Sequence, residues 1–316
     1  MTPLVSILIP VYNRENIIAE TLESALAQTH DNIEVIVVDN ASTDDTWRVI
    51  QAFAEKDDRV LAFRNEVNLG PVRNWLLCVE RARGEIGKIL WSDDLIAKDF
   101  LEKTLPLLRS DVGFVYTGVK IFTDDKPDCG TTHYQMQDTG IYDSVDYINK
   151  ILSDLDAPFS PGCAIFRMND IRKNLWLDIP NKIKSDFSMH AIGNDLMLFL
   201  LTASNYKFFG HVTEPLAFFR AHGGSISTSS TNGKLLLHYA LAKAHFVENF
   251  LPAEKNNLAA RIQVMLWKYK DSTVYNMHSV SDFFSTNVSV SKIKIFIRIL
   301  KKILRLPINY FNKFFN

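Results

Sequence analysis

Short, nearly unbroken apolar runs recur along the first 125 residues, at Val5–Ile9, Ile33–Val38, Val60–Phe63, Ile86–Trp91 and Gly113–Phe122. Between them, apolar positions recur with helical spacing near residues 15–28, 44–55, 71–83 and 98–109. Runs of this length that stay apolar on consecutive positions predict strands covered on both faces. Their alternation with helices predicts a mostly parallel, doubly wound α/β sheet, with right-handed crossovers and helices on both faces. Ligands on such a sheet bind beyond the carboxyl ends of the strands. The polar residues at those ends are therefore where chemistry is expected.

The pattern loosens after residue 125. Lys126–Thr139 reads as a polar connection, Tyr142–Leu152 as a helix and Cys163–Met168 as a strand. Asp195–Ala203 reads as an apolar helix and Glu214–Arg220 as a strand. Two long helices follow near 234–250 and 255–272, then a linker rich in Ser, Thr and Asn over Ser279–Ser291. The predicted organisation is a main domain over residues 1–222, whose first part runs to about 125, and a helical extension over 223–278. Residues 279–316 form a linker and a terminal helix. At 316 residues and 47% hydrophobic, the chain can bury a substantial core.

Net charge is −1, which gives no reason to expect a nucleic-acid partner. That average hides an asymmetry. Residues 291–316 hold seven of the 35 Lys and Arg residues and none of the 36 acids. Three scattered cysteines, Cys78, Cys129 and Cys163, lack any CxxC pair and read as reduced thiols in a reducing compartment. The start MTPLVSILIPVYN has no basic region before its short apolar run, so it reads as a strand and not a signal peptide. No stretch of about 18 uncharged apolar residues predicts a spanning helix.

The strand ends carry a distinctive inventory: Pro10, Val11, Tyr12, Asn13 and Arg14 after the first, Asp39, Asn40, Ala41 and Ser42 after the second, and Ser92, Asp93 and Asp94 after the fourth. Adjacent carboxylates repel each other and resist desolvation. A hard divalent cation relieves both costs and can bridge a diphosphate. Asp at a helix start is also a common cap needing no ligand. DNASTDDT around Asp39 reads equally as a turn before a capped helix. Alternatively, a carboxylate there accepts from a nucleobase N–H while Tyr12 stacks on the base.

PVYNR, VVDNASTD, NLGPVRN and WSDDL stand in the order and spacing of family 2 glycosyltransferases, and the chain resembles their GT-A nucleotide-sugar domain. The resemblance is specific over residues 4–110, weaker to about 222 and absent beyond. It implies nucleotide-sugar contacts from Pro10, Tyr12, Asn13, Asp39, Asn68, Arg73 and Asp93, with Asp93 approaching the ribose. It implies that Asp94, helped by His222 of FFRAHGGSIS, holds Mn²⁺ or Mg²⁺. AIGNDLMLFLL resembles the segment carrying the catalytic base, which points to Asp195, with Asn194 where relatives commonly have Glu. Gly162, in SPGCAIF, falls where relatives shape the sugar and acceptor pocket. The implied activity is inverting transfer of a sugar from a nucleoside-diphosphate donor, UDP-linked, to a hydroxyl of a lipid-linked glycan in surface polysaccharide assembly. A dehydrogenase would need GxGxxG after the first strand, where PVYNREN stands. A degenerate nucleotide-sugar binder or membrane scaffold is the alternative, and the acids at Asp94 and Asp195 weigh against it.

SKIKIFIRILKKILRLP lies outside that resemblance. At about 100° per residue, Ile293, Phe296, Ile297, Leu300 and Leu304 share one face, and Arg298, Lys301, Lys302 and Arg305 the other. A basic amphipathic helix lies in a membrane interface, with about 1 kcal/mol gained per basic residue near an anionic surface. This predicts a cytoplasmic protein held peripherally on the inner face of the cell membrane. Deleting residues 291–316 is expected to release the protein from anionic liposomes, and raised salt to weaken binding of the intact chain. Equal sedimentation of both forms with the vesicles would show that the tail is a core helix.

Overall fold

The computed structural model describes residues 2–123, 127–223 and 233–296. The chain divides into two compact units, Met1–Asp178 with Asp186–Ser229, and Ile179–Ser185 with Ser230–Asn316.

The first unit is built on one sheet. Its strands are β1 (Val5–Val11), β2 (Ile33–Asp39), β3 (Val60–Arg64), β4 (Ile86–Ile89), β5 (Leu95–Ile96), β6 (Val112–Phe122), β7 (Thr131–His133), β8 (Gly140–Asp143), β9 (Ala164–Arg167) and β10 (Phe208–Arg220). The order across the sheet is β3-β2-β1-β4-β9-β6-β10-β5, with β7 beside β6 and β8 beside β10. β3, β2, β1 and β4 run parallel, as do β6 and β10. Every residue of β1 and β2 is buried, as their unbroken apolar sequence requires. β9 runs antiparallel to both neighbours and joins the two parallel groups. An apolar run shows that a strand exists but not its direction, so β9 could not be oriented from sequence.

The helices of this unit are α1 (Ile18–Leu26), α2 (Thr46–Ala54), α3 (Pro71–Arg81), α4 (Phe100–Thr104), α5 (Ser144–Leu152), α6 (Met168–Asn174), α7 (Phe187–His190) and α8 (Asn194–Asn205). The helix expected over 98–109 stops early. Pro106 lacks an amide hydrogen, and Leu105–Leu107 tightens into a 3₁₀ turn. β4 also ends sooner than the apolar run suggests, because Asp94 N–H donates to the Trp91 carbonyl at 3.1 Å and turns the chain. Phe114, Tyr147, Phe166, Phe199 and Phe209 form the aromatic centre of the core. The Phe114 and Phe199 rings meet edge to face at 4.9 Å.

The amino ends of the strands carry a structural polar cluster. Buried Glu34 accepts from Ser6 Oγ at 2.6 Å, from Arg83 N–H at 2.7 Å and from Arg83 Nε at 2.9 Å. Burial pushes its carboxyl up, but these donors together outweigh that and hold it below the usual range. The carboxyl ends are left for the candidate site.

In the second unit, α9 (Lys234–Phe250) packs against α10 (Lys255–Lys268). The expected linker is partly folded. Val280–Phe283 forms a 3₁₀ turn with a Ser279–Asp282 capping box, and Val280, Phe283 and Phe284 are buried against this helix pair. The apolar residues within the Ser-rich stretch supply that packing. Glu248 fixes it further by accepting from the backbone of Ser285 and Thr286 at 2.7 and 2.8 Å. Residues 292–296 are helical, and the rest of the expected amphipathic helix lies outside the described residues. Among the described residues no helix is long and apolar enough to cross a membrane.

Candidate active site

The β1 and β2 ends are stitched into one surface. Asn13 adopts a left-handed backbone (φ 51°), which Asn tolerates better than most residues. Its N–H donates to Ser42 Oγ at 2.9 Å, and its Oδ1 accepts from Thr43 N–H at 2.9 Å. Ser42 in turn donates its hydroxyl to Asp39, which is fully buried and paired with Arg64 Nε at 3.1 Å. Asp39 lies opposite Val11 in the ladder, so Tyr12, 40% exposed, follows directly beside it. Pro10 is buried within β1. These residues lie together at the β1 and β2 ends.

Asn68 and Arg73 each make ties within the protein. Asn68 Oδ1 accepts from Asn40 Nδ2 and from Gly70 N–H, each at 2.9 Å. Asn40 also accepts from Asn65 and Leu69, and Asn74 donates to the Val38 carbonyl at 2.9 Å. This amide network fixes the loop before α3. Arg73 Nη1 donates to Ser188 Oγ at 3.1 Å, which ties α3 to α7 and so to the segment leading into Asp195. Asn65 was not singled out in the sequence, and Asn40 and Asn74 were given no role of their own there, because isolated amides carry no pattern.

The carboxylate pair sits in the turn after β4. Asp94 is buried, and its Oδ1 accepts from the Arg220 backbone N–H at 3.0 Å. Arg220 Nε donates to the Asp93 carbonyl at 3.2 Å, and its guanidinium meets Glu20 at 2.5 Å. Thr21 Oγ1 donates to the Asp94 carbonyl at 3.0 Å. Burial, then the adjacent Asp93 charge, push the Asp94 carboxyl well above the usual range. Asp93 is more open. Its Oδ2 lies 2.9 Å from His222 Nε2 and 3.6 Å from an Arg14 guanidinium nitrogen. The structure thus pairs His222 with Asp93, where the sequence pairs it with Asp94. Two successive side chains leave a tight turn in different directions, and this one sends Asp94 inward. The remainder of the FFRAHGGSIS element, from Gly224, lies outside the described residues.

Beneath the pair is Lys88, fully buried. Its Nζ donates to the Ile89 carbonyl at 3.0 Å and to the Gly162 carbonyl, and lies 4.6 Å from the Phe100 ring centroid. Burial pushes the ammonium down to about 7, against the pull of the Asp94 charge. A lysine inside IGKIL breaks an otherwise apolar strand, and that break was a legible signal.

Asp195 stands in the first turn of α8, a helix buried almost all round. Its Oδ1 accepts from Gly193 N–H at 3.1 Å and Leu196 N–H at 2.8 Å, and it is 7% exposed. Asn194 is a tie and not a second acid. Its Nδ2 donates to the Trp176 and Leu177 carbonyls at 3.0 and 3.1 Å.

Among the described residues no group of three or more His, Cys, Asp or Glu side chains converges as a closed metal site. Asp93 with His222 nevertheless suits a cation that takes its other oxygens from a diphosphate, as Mg²⁺ usually does. The raised Asp94 carboxyl carries a consequence for stability. Its folded pKa lies above its unfolded value, so this group's contribution to stability is greatest at low pH and is lost as pH rises through the folded pKa. Asp94→Asn keeps an acceptor for the Arg220 N–H and removes the charge. It is expected to raise the melting temperature of the metal-free protein at neutral pH and to weaken divalent-cation binding. Scanning calorimetry in EDTA checks the first effect, and a lower melting temperature would contradict it.

The model of the family described as "Glycosyl transferase family 2" matches residues 6–175, more than half of the chain. The chain is 35% identical over 122 residues to the Escherichia coli UDP-Glc:alpha-D-GlcNAc-diphosphoundecaprenol beta-1,3-glucosyltransferase WfaP, covering 38% of this chain and 48% of that one. Its fold is similar to S. aureus TarS in complex with UDP-GlcNAc, at a TM-score of 0.63 and 19% identity over 97% of this chain and 82% of that one. It is also similar to the Pyrobaculum calidifontis mannosyltransferase PcManGT in complex with GDP-Man and Mn2+, at a TM-score of 0.52 and 18% identity over 99% and 83% of the two chains. The chain spans less than half the length of the curated relatives it matches. With a mostly parallel sheet of the GT-A type and this family match, the chain belongs to glycosyl transferase family 2.

Proposed function

We propose that this protein is a metal-dependent, inverting glycosyltransferase that moves a sugar from a nucleoside-diphosphate donor to a hydroxyl of a lipid-linked glycan. The observation that carries the proposal is that the first unit holds two kinds of acid in fixed settings. Asp93 with His222 closes the β4 end, and Asp195 is held by backbone N–H groups at the start of α8. The first suits a diphosphate, the second a hydroxyl proton. A UDP-linked donor is favoured because TarS was crystallised with UDP-GlcNAc and WfaP carries UDP-Glc in its name. WfaP also names a diphosphoundecaprenol-linked acceptor, which matches a lipid-carried glycan in surface polysaccharide assembly. A peripheral site on the inner membrane face, reached through the basic tail, suits such an acceptor.

The residues divide the work. Pro10, Tyr12, Asn13 and Asp39 frame the nucleobase, with the loop held by Asn68 and Arg73 behind them. Asp93 and His222 would hold Mn²⁺ or Mg²⁺, with Asp94 beneath them ionised once the cation is bound. When bound, the cation neutralises charge on the departing nucleoside diphosphate. Asp195 accepts the acceptor's hydroxyl proton as that oxygen attacks the anomeric carbon. The bond from that carbon to the phosphate oxygen breaks on the opposite face, which inverts the centre. Much of the rate then comes from holding both sugars in line.

Replacing Asp195 with Asn keeps its size and its hydrogen bonds but removes the proton acceptor. Turnover is expected to fall roughly 10²–10⁴-fold, the usual scale for general-base catalysis, while affinity for the nucleotide sugar changes little. Both are measured on the same variant, by nucleoside-diphosphate release and by calorimetry. Near-normal turnover, or donor binding lost together with it, would place the base elsewhere.

A further inference from the structure

Trp91 precedes Ser92 and the carboxylate pair, and its side chain is fixed from three directions. Its Nε1–H donates to Ser160 Oγ at 2.8 Å. Its ring lies 4.7 Å from that of Trp75 at 45°, and Trp75 is buried. On a third side stands Gly162. A methyl group there would lie 3.2 Å from Trp91 Cδ1 and 2.9 Å from Phe219 Cε1. The glycine therefore lets two aromatic rings close on one backbone position. That position is itself anchored, because the Gly162 carbonyl accepts from buried Lys88.

Both rings adjoin the carboxylates along the chain. Trp91 stands two residues before Asp93. Phe219 stands immediately before Arg220, whose N–H holds Asp94. Both rings are only partly buried. The indole's one polar group already has its partner inside the protein. What Trp91 can offer a ligand is a rigid apolar π face. In a nucleotide sugar the diphosphate stands between the ribose and the transferred sugar, and a transferred pyranose turns a face of C–H groups toward such a ring.

We infer that Trp91, backed by Trp75 and held against Gly162 and Phe219, is a binding residue for the C–H face of a pyranose beside the carboxylate pair. The inference rests on the nucleotide-sugar reading above. The ring could be the donor's or the acceptor's, and the two are separated by experiment.

The test uses the full chain with Mn²⁺ and three calorimetric titrations: UDP, UDP-GlcNAc, and methyl glucopyranoside added to the UDP complex. Trp91→Leu keeps apolar bulk and removes the flat face, and Trp91→Phe restores a ring without the N–H. For a donor pyranose, Trp91→Leu weakens UDP-GlcNAc about tenfold, leaves UDP unchanged, and Trp91→Phe recovers most of the loss. For an acceptor pyranose, the loss appears in the glucoside titration alone. The inference is overturned if all three affinities stay unchanged in Trp91→Leu, or if UDP and UDP-GlcNAc weaken in step, which marks a structural wall. If the unaltered protein binds UDP and UDP-GlcNAc at no concentration, the nucleotide-sugar reading fails first and takes the inference with it.

Discussion

Two successive carboxylates in a turn at the end of a buried strand repel each other and lose hydration, and folding them there requires compensation from several directions. The β4 turn shows where it comes from. The Arg220 backbone holds Asp94, the Arg220 side chain holds the Asp93 carbonyl, and Glu20 holds the Arg220 guanidinium. Lys88 lies underneath, with Arg14 and His222 at the open side. β10 must run its full length beside β6 to bring Arg220 to that turn, and α1 must cover it to bring Glu20 and Thr21. Much of the first unit's architecture is thereby committed to one pair of acids. Even so, Asp94 remains a reluctant anion. A carboxyl group that the protein alone does not hold easily in its charged form is one that a cation would stabilise as the anion.

The proposed catalytic face joins this turn through the middle of the sheet. Lys88 links β4 to the Gly162 carbonyl, and Gly162 lets Trp91 and Phe219 approach each other. A second route runs through α3. Arg73 reaches Ser188 in α7, and the chain then passes through Ala191 and Gly193, both at positive φ, into Asp195. The proposed nucleotide end and the proposed base are therefore positioned by side-chain ties between elements far apart in sequence, and not by one continuous loop. Such ties make the geometry rigid before any ligand arrives, which is what in-line transfer needs.

Much of this was legible from residue order alone. Unbroken apolar runs give β1, β2 and β3, and a parallel sheet directs attention to Tyr12, Asp39 and Asp93–Asp94 without any structure. The apolar helix after Asp195 and the helices near 234–250 and 255–272 were equally plain. Pairings over long separations were not. Which of two adjacent acids meets His222 depends on the turn after β4 and on a strand about 130 residues later. The direction of β9, the Asn40–Asn65–Asn68–Asn74 network and the contact of Trp91 with Gly162 arise from tertiary packing. Val280, Phe283 and Phe284 show the same limit in reverse. Their polar neighbours read as a linker, yet three apolar side chains suffice to fold the turn onto α9 and α10.

The central claim is that the β4 acids and His222 form a cation-dependent site for a nucleotide sugar. The most direct measurement is calorimetric titration of UDP-GlcNAc, UDP-Glc and GDP-Man into the protein, once with Mn²⁺ and once with EDTA. The account predicts that a UDP-linked sugar binds best with Mn²⁺ and loses most of its affinity in EDTA. Equal affinity in EDTA, or no binding of any nucleotide sugar with Mn²⁺ present, would contradict it.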